Sequence, residues 1–231
     1  DTLDENAHRH AYAVSEDLKY ALRESIELLG NEAVRQRVEK ARQQKEGAFS
    51  GQIDPEALAI ECLRYMYRLL FLFFIEARPD LGYAPVDSEV YLKGYSLEGL
   101  RDLEMVPLTT EEDRHGRYLH DSIETLFRLV RQGYDPEAGR DLLSGTSRDA
   151  FQMAGLQSHL FDPERTPHLN TVVFPNWLLQ QIIGRMSLSQ QSARKGKRRG
   201  RISYAQLGIN QLGAVYEALL AYRGFFAEED L

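Results

Sequence analysis

The sequence predicts an all-α protein, an irregular multi-helix bundle with long loops. Apolar residues recur at spacings of three and four in several separate segments, which is typical of helices with one buried face. Glycine and proline clusters divide these segments, and only residues 171–174 weakly suggest a strand. Cys62 is the single cysteine, so an intramolecular disulfide and a cysteine-based zinc site are both excluded.

The first two predicted helices precede residue 45. Ser15 is expected to cap a helix whose apolar positions within 18–29 share one face, and Gly30 is expected to end it. A second, strongly charged helix is expected over 32–44. The glycines and serine of 45–52 then predict a loop.

The central helix has the clearest boundaries. Asp54 is expected to cap it, Pro55 suits its first turn, and Pro79 is expected to stop it after residue 78. The segment is apolar on nearly all sides, which predicts a position in the middle of the bundle. Cys62 lies within it and is expected to be a buried small hydrophobe.

Three polar residues interrupt this apolar helix. Arg64 and Arg68 share one face and are secondary candidates for DNA contact, with salt bridges inside the bundle as the alternative. Glu76 follows three apolar residues and is either an acid with a raised pKa or a last-turn residue. We expect the second, with Glu76 paired to an arginine or reaching water.

The remaining helices are marked by caps and breakers. The predicted elements are an irregular loop over 80–95, a helix over 97–103 capped by Ser96, an amphipathic helix over 119–130 ending near Gly133, a helix capped by Asn176, and a last helix from about Gln206 ended by Gly224.

Catalytic signatures are missing from the sequence. It has no glycine-rich phosphate loop, dinucleotide fingerprint, serine nucleophile elbow or His-Glu-x-x-His helix. The polar start is unlike a signal peptide, and the apolar run 69–75 is far shorter than the about 20 residues that cross a bilayer. We therefore expect no membrane association. The single cysteine fits a reducing cytoplasm, and the missing initiator methionine and the abrupt end after a hydrophobic segment suggest a piece of a longer protein.

A basic run is the strongest functional lead. Six cations lie within eight positions of a chain whose formal net charge is -7. Such a cluster suits DNA, because phosphate contacts release condensed counterions, and its two glycines let the backbone follow a phosphate ridge. The alternative is a solvated linker without a ligand. The predicted DNA-binding residues are Arg194, Lys195, Lys197, Arg198, Arg199 and Arg201.

The terminal segment ISYAQLGINQLGAVYEALLAYRGFFAEEDL contains the phrase Leu-Gly-x-x-Tyr-Glu-x-Leu-Leu at 212–220. It resembles the stretch before the methylase domain of large bacterial adenine-specific DNA methyltransferases, the Type IIG restriction–modification enzymes and the BREX and DISARM phage-defence methylases. Residues 62–83, the phrase GYSLEGLRDLE at 94–104 and residues 160–183 are similar to the helical region upstream in those proteins.

The resemblance implies a parent protein that methylates adenine with S-adenosylmethionine. The family's Asp-Pro-Ala-Cys-Gly-Ser-Gly-like cofactor motif and Asn-Pro-Pro-Tyr-like catalytic motif do not occur in these residues, so no catalytic, cofactor or metal residue is carried over. Leu212, Gly213, Tyr216 and Glu217 are expected to hold the chain against the downstream methylase domain, and the small Gly208 and Gly213 to permit close packing there.

Together these observations predict three parts: a helical spacer over 1–190, a basic loop over 191–203, and a helix over 204–231 that leads into an absent methylase domain. The expected function is that of a DNA-contacting spacer in a methyltransferase of a bacterial restriction–modification or phage-defence system. The rival is a helical protein–protein interaction module that meets other subunits of a defence complex.

Overall fold

A computed structural model describes residues 2–44, 53–136, 151–188 and 200–220. The fold is mostly helical, which confirms the predicted class. The helices and strands are α1 (Thr2–Gln43), α2 (Pro55–Glu76), α3 (Glu89–Gly94), α4 (Leu97–Arg101), α5 (Glu111–His115), α6 (Tyr118–Gln132), β1 (Gly133–Tyr134), β2 (Met153–Ala154), α7 (Asn176–Ser187) and α8 (Ile209–Leu220). Short 3-10 turns connect several of them.

The long α1 replaces the two helices expected before residue 45, so that prediction was wrong. Ser15 and Gly30 both lie inside α1, and Ser15 is buried rather than capping an end. The buried stripe that includes Leu22 and Leu29 continues to Ala33 on the same face. A glycine inside a helix costs about 1 kcal/mol, which continued burial of this stripe outweighs.

The central position of α2 is confirmed. Asp54 caps it by accepting a hydrogen bond from Glu56 N at 3.0 Å, and Pro55 is its first residue. It packs against α1 and α4, and most of its side chains are buried. Cys62 is a buried free thiol, and burial raises its pKa above the ordinary value.

The middle of the chain follows the sequence prediction in part. Ser96 caps α4 by accepting from Gly99 N at 2.9 Å, as expected. Gly133 ends α6 with φ of 76°, a left-handed conformation that favours glycine. The segment 80–95, expected to be irregular throughout, contains α3, which Ser88 caps.

Asn176 was expected to cap its own helix, which was wrong. It is the first residue of α7, and its side chain instead serves the start of α6. Its Oδ1 accepts from Leu119 N at 3.0 Å, and its Nδ2 donates to Asp113 O at 2.9 Å. One amide therefore joins α5, α6 and α7.

The small sheet lies away from the predicted strand. Gly133 and Tyr134 pair with Ala154 and Met153 in antiparallel register. Residues 171–174 form no strand, because a 3-10 turn over Leu169–Thr171 occupies their start.

The last helix, α8, packs against α1. Its buried residues Val215 and Leu219 join the same hydrophobic core as α2, α6 and α7. Gly224, expected to end this helix, lies outside the described residues. Within the described ranges, no helix is both long and apolar enough to cross a membrane.

Candidate nucleic-acid interface

The two ends of segment 188–201, which contains the basic run, lie side by side. Leu188 and Arg201 form an isolated antiparallel bridge, and Ile202 N donates to Ser187 O at 2.8 Å. We call Ser187, Leu188, Arg201 and Ile202 the clasp. Residues 189–199 between its two sides lie outside the described residues, and with them lie five of the six predicted DNA-binding residues, all except Arg201.

Arg101 holds both sides of the clasp with one guanidinium. Its Nη2 donates to Ser187 O at 3.3 Å and to Ile202 O at 3.0 Å, and its Nε donates to Ser187 Oγ at 3.2 Å. The side chain is buried, with 6% of its surface exposed. Its guanidinium carbon also lies 5.4 Å from the Phe73 ring centre and 5.8 Å from that of Tyr204. The planar fork of an arginine suits this double bridge, which a lysine cannot reproduce.

Tyr204 fixes the chain just after the clasp. Its hydroxyl donates to Met186 O at 2.8 Å, and its ring stacks on Phe73 of α2 at 4.9 Å with an angle of 12° between the planes. Burial raises the pKa of this phenol above its ordinary value. The clasp is therefore joined to α2 by packing as well as by hydrogen bonds.

Arg201 is the one predicted DNA-binding residue that the structure describes. Its guanidinium donates to Asp102 at 2.7 Å and to Glu98 at 3.2 Å, and the hydrogen bond to Asp102 raises its pKa. The side chain is 44% exposed. A phosphate would have to compete with two carboxylates, so the DNA contact of Arg201 stays a prediction, while its observed bonds tie the clasp to α4.

The clasp is not itself a positive surface. Three acidic residues, Glu98, Asp102 and Glu104, lie around the two arginines at 101 and 201. Burial is the largest influence on Glu104, and it raises the pKa of that carboxyl. The described residues around the clasp therefore supply no net positive charge for a polyanion.

Glu76 supports α4 from the end of α2. Its carboxylate accepts from Leu97 N at 2.9 Å, from Glu98 N at 2.8 Å and from the Tyr91 hydroxyl at 2.8 Å. Burial raises its pKa to about 7 against the lowering effect of these donors. Glu76 is in the last turn of α2, as expected, but the expected arginine or water partner was wrong, because the side chain caps a neighbouring helix. The raised pKa agrees with the alternative that the sequence left open.

Arg64 and Arg68 contact an irregular segment of the chain. Arg68 is buried and donates to Leu160 O at 2.6 Å and to Asp162 O at 3.0 Å, while Arg64 donates to Arg165 O at 2.6 Å. A buried arginine that supplies donors to backbone carbonyls is not available to DNA, so the secondary prediction for Arg68 was wrong.

The predicted interdomain residues lie on α8, where one face is open. Ile209, Tyr216 and Leu220 are 74%, 41% and 57% exposed, and Gly213, at helical spacing between them, would have nothing within 4 Å of an added Cβ. We call these four residues the α8 face. Gly213 allows no close packing among the described residues. Its proposed role at an interface stays a prediction.

Leu212 and Tyr216 also make internal contacts. The Tyr67 hydroxyl donates to Leu212 O at 3.1 Å, and the Tyr67 and Tyr216 rings meet edge to face at 4.5 Å. Glu217 is exposed.

The sequence predicted the last helix but not the role of Arg101. The spacing of Arg101 could have indicated its burial, because it lies on the same face of α4 as buried Leu97 and Leu100.

No family model, curated protein or solved structure matches the chain. Across the described ranges, no group of three or more His, Cys, Asp or Glu side chains is arranged to hold a metal ion.

Proposed function

We propose that this chain is the DNA-contacting helical spacer of a site-specific DNA adenine methyltransferase from a bacterial restriction–modification or phage-defence system. The observation that carries the proposal is the clasp, in which a buried arginine bonds both ends of segment 187–202, the segment that contains the basic run. Residues 94–104, which hold Arg101 and its acidic neighbours, also belong to the stretches that resemble this family.

A loop whose two ends are held in place suits the contact with the DNA backbone that base flipping requires. An enzyme that turns an adenine out of the duplex must hold the backbone around its target. Lysines and arginines between anchored ends contact phosphates with less loss of conformational freedom than the same residues on a free tail. Arg194, Lys195, Lys197, Arg198 and Arg199 are the proposed phosphate contacts.

The α8 face is the proposed docking surface for the methylase domain. Exposed apolar side chains at helical spacing are costly in water unless a partner covers them. The downstream domain would bind S-adenosylmethionine and carry out methyl transfer, in the bacterial cytoplasm, and the residues of this segment supply docking and DNA contact only.

The alternative function is a helical interaction module within a multi-subunit defence complex. The same α8 face supports it, because an apolar surface can be covered by another subunit. In that case the basic run would meet an acidic protein rather than duplex DNA.

The decisive experiment is a salt titration of duplex binding by fluorescence anisotropy. We expect affinity to fall steeply with salt, and the Lys197→Gln, Arg198→Gln, Arg199→Gln triple variant to reduce the slope by about 0.9 for each phosphate that is no longer neutralised. Binding should weaken equally for unrelated duplex sequences, since backbone contacts carry no sequence information.

The matched control changes the same amount of charge elsewhere. Lys19→Gln, Lys93→Gln and Arg128→Gln remove three cations from other parts of the surface. Unchanged affinity in the basic-run variant, or equal weakening in the control, would overturn the DNA proposal and favour the interaction module.

A further inference from the structure

A pocket of 290 Å³ lies between the C-terminal half of α1 and residues 168–172. It is remote in sequence from the clasp and is lined by a different set of residues. Its polar wall includes Arg35, Arg37, Lys40 and His168, and Ala33, Ile53 and Val172 form an apolar side. Its size is close to the lower limit for small-ligand sites.

His168 is held in one orientation by a buried carboxylate. Glu61 of α2 is 5% exposed, and its Oε1 lies 2.6 Å from His168 Nδ1. Its Oε2 accepts from the backbone N of His168 at 2.9 Å and of Leu169 at 3.0 Å. Because the carboxylate is an acceptor, Nδ1 carries a proton, and Nε2 is the ring nitrogen left to face a ligand. Nε2 donates to an anion when the ring is the doubly protonated imidazolium.

The charge on the pocket wall is mostly positive. Three cations, Arg35, Arg37 and Lys40, face one carboxylate, Glu39, which accepts from Gln43 Nε2 at 3.1 Å. Arg35 is engaged in a two-point bond with buried Glu32 at 2.7 and 2.9 Å, so that carboxylate largely offsets its charge. The two other cations of the lining outnumber Glu39. The wall thus favours an anion.

Lys40 is the cation best placed to bind directly. It is exposed, and within the described parts of the chain its ammonium has no hydrogen-bond or ion-pair partner. An ammonium and an oriented imidazole on one pocket wall are a common means of holding an oxyanion, because charge-assisted hydrogen bonds are about twice as strong as neutral ones.

We propose that this pocket binds a phosphate group, with the Lys40 ammonium and the Nε2–H of the His168 imidazolium as its direct donors and Glu61 as the residue that positions the ring. The charge of Arg37 favours an anion there, and the apolar side gives room for the organic part of a phosphate monoester. The pocket shares no lining residue with the clasp, and the proposal does not rest on the proposed contact with duplex DNA.

Isothermal titration of the whole chain with inorganic phosphate tests the proposal, with chloride at matched ionic strength as the reference. We expect saturable binding that His168→Gln and Lys40→Gln each weaken by about ten-fold or more, the cost of one charge-assisted bond. Lys40 is exposed, so its variant should fold even if the His168 variant is less stable.

Two controls separate this site from other cations. Lys19→Gln removes a lysine from the same helix, about 30 Å away along its axis, and should leave phosphate affinity unchanged. The Lys197, Arg198, Arg199 triple variant should also retain phosphate binding, so loss of duplex binding and loss of this site are distinguishable.

A second arm uses deoxyadenosine 5′-monophosphate. Tighter binding than inorganic phosphate would identify a nucleotide-type monoester as the ligand, and equal affinity would identify the phosphate alone. The proposal is overturned if wild-type protein binds neither probe, if the His168 and Lys40 variants bind as the wild type does, or if the triple variant abolishes binding.

Discussion

Glu76 ends α2 with a carboxylate that serves another helix. It supplies acceptors to the first backbone N–H groups of α4, which a short helix cannot satisfy internally. Asn176 does the same for α6. Single polar side chains thus connect helices that lie far apart in sequence.

The first prediction concerns the pH dependence that Glu76 imposes on stability. Its pKa rises from the ordinary 4.5 to about 7 on folding, so the folded chain binds more protons than the unfolded chain between these values. The stabilising contribution is full below pH 4.5 and is lost as pH rises through about 7. Glu76→Gln should remove a decline of about 1 to 3 kcal/mol in the free energy of unfolding over that range.

Urea unfolding at a series of pH values measures this difference. Glu112→Gln, at an exposed position on α5, is the control and should keep the wild-type pH profile. If Glu76→Gln also keeps the wild-type pH profile, ionisation of Glu76 does not lower the free energy of unfolding, and this prediction is wrong.

The second prediction concerns Arg101. Arg101→Lys keeps the charge but removes the fork that bridges Ser187 and Ile202, so the Ile202 carbonyl and the Ser187 hydroxyl lose their guanidinium donor. We expect the free energy of unfolding to fall by about 2 to 4 kcal/mol. Hydrogen exchange at the Ile202 amide, which donates to Ser187 O, should become faster as the clasp opens.

Arg117→Lys is the matched control, because Arg117 makes a two-point bond with Asp121 at an exposed site. It should cost less than about 1 kcal/mol. Similar destabilisation in the two variants would show that the clasp does not depend on the buried guanidinium.

The polar residues of α2 show where residue-level prediction from sequence stops. Arg64 and Arg68 are recognisable as exceptions on an apolar helix, but their partners are carbonyls about a hundred residues later. An irregular segment has few backbone partners of its own, so it needs side-chain donors. The sequence contains no local signal that says which segment this is.

At the scale of elements, helices with sharp end signals were predicted well. Asp54-Pro55 marks the start of α2, and the stop at Gly133 marks the end of α6, because both rest on local backbone chemistry. The prediction that a helix ends at Gly30 was wrong, because Gly30 lies inside α1. Whether a glycine ends a helix depends on what the next turn can bury, and here the next turn buries Ala33.

The third prediction compares two adjacent leucines of α8. Leu219 is 4% exposed and joins the core, whereas Leu220 is 57% exposed on the α8 face. Leu219→Ala should cost about 2 to 5 kcal/mol in the free energy of unfolding. Leu220→Ala should change it by less than about 0.5 kcal/mol.

The two variants share the same chemical change, so each is the control for the other in urea or thermal unfolding. A large cost for Leu220→Ala would mean that the α8 face is already covered within this chain. The proposed docking of a downstream domain on that face would then be wrong.

At the scale of the whole molecule, the all-α class was predicted from helical periodicity alone. Packing between the helices stabilises the same elements. The candidate site was less accessible to prediction. The basic run is visible as a cluster of cations, but its anchoring by Arg101 depends on contacts with residues 187 and 202, about a hundred positions away. Likewise, the Glu61–His168 pair joins residues 107 positions apart.

The fourth prediction is that the described helices unfold as one cooperative unit. Buried residues of α1, α2, α6, α7 and α8 form a single core, so the loss of one helix exposes apolar surface on the others and favours unfolding in one step. Far-ultraviolet circular dichroism and the fluorescence of Trp177, the single tryptophan, should therefore give the same urea midpoint.

A second fluorescent probe tests whether α8 belongs to that unit. Tyr216→Trp in a Trp177→Phe background places the reporter on α8 beside Tyr67, where an aromatic contact is kept. Its midpoint should match the circular dichroism of the same variant, because Val215 and Leu219 tie α8 to the common core. An earlier transition at position 216 would show that α8 separates from the bundle before it unfolds. The contact of α8 with α1 would then be weak enough for a downstream domain to move the helix on docking.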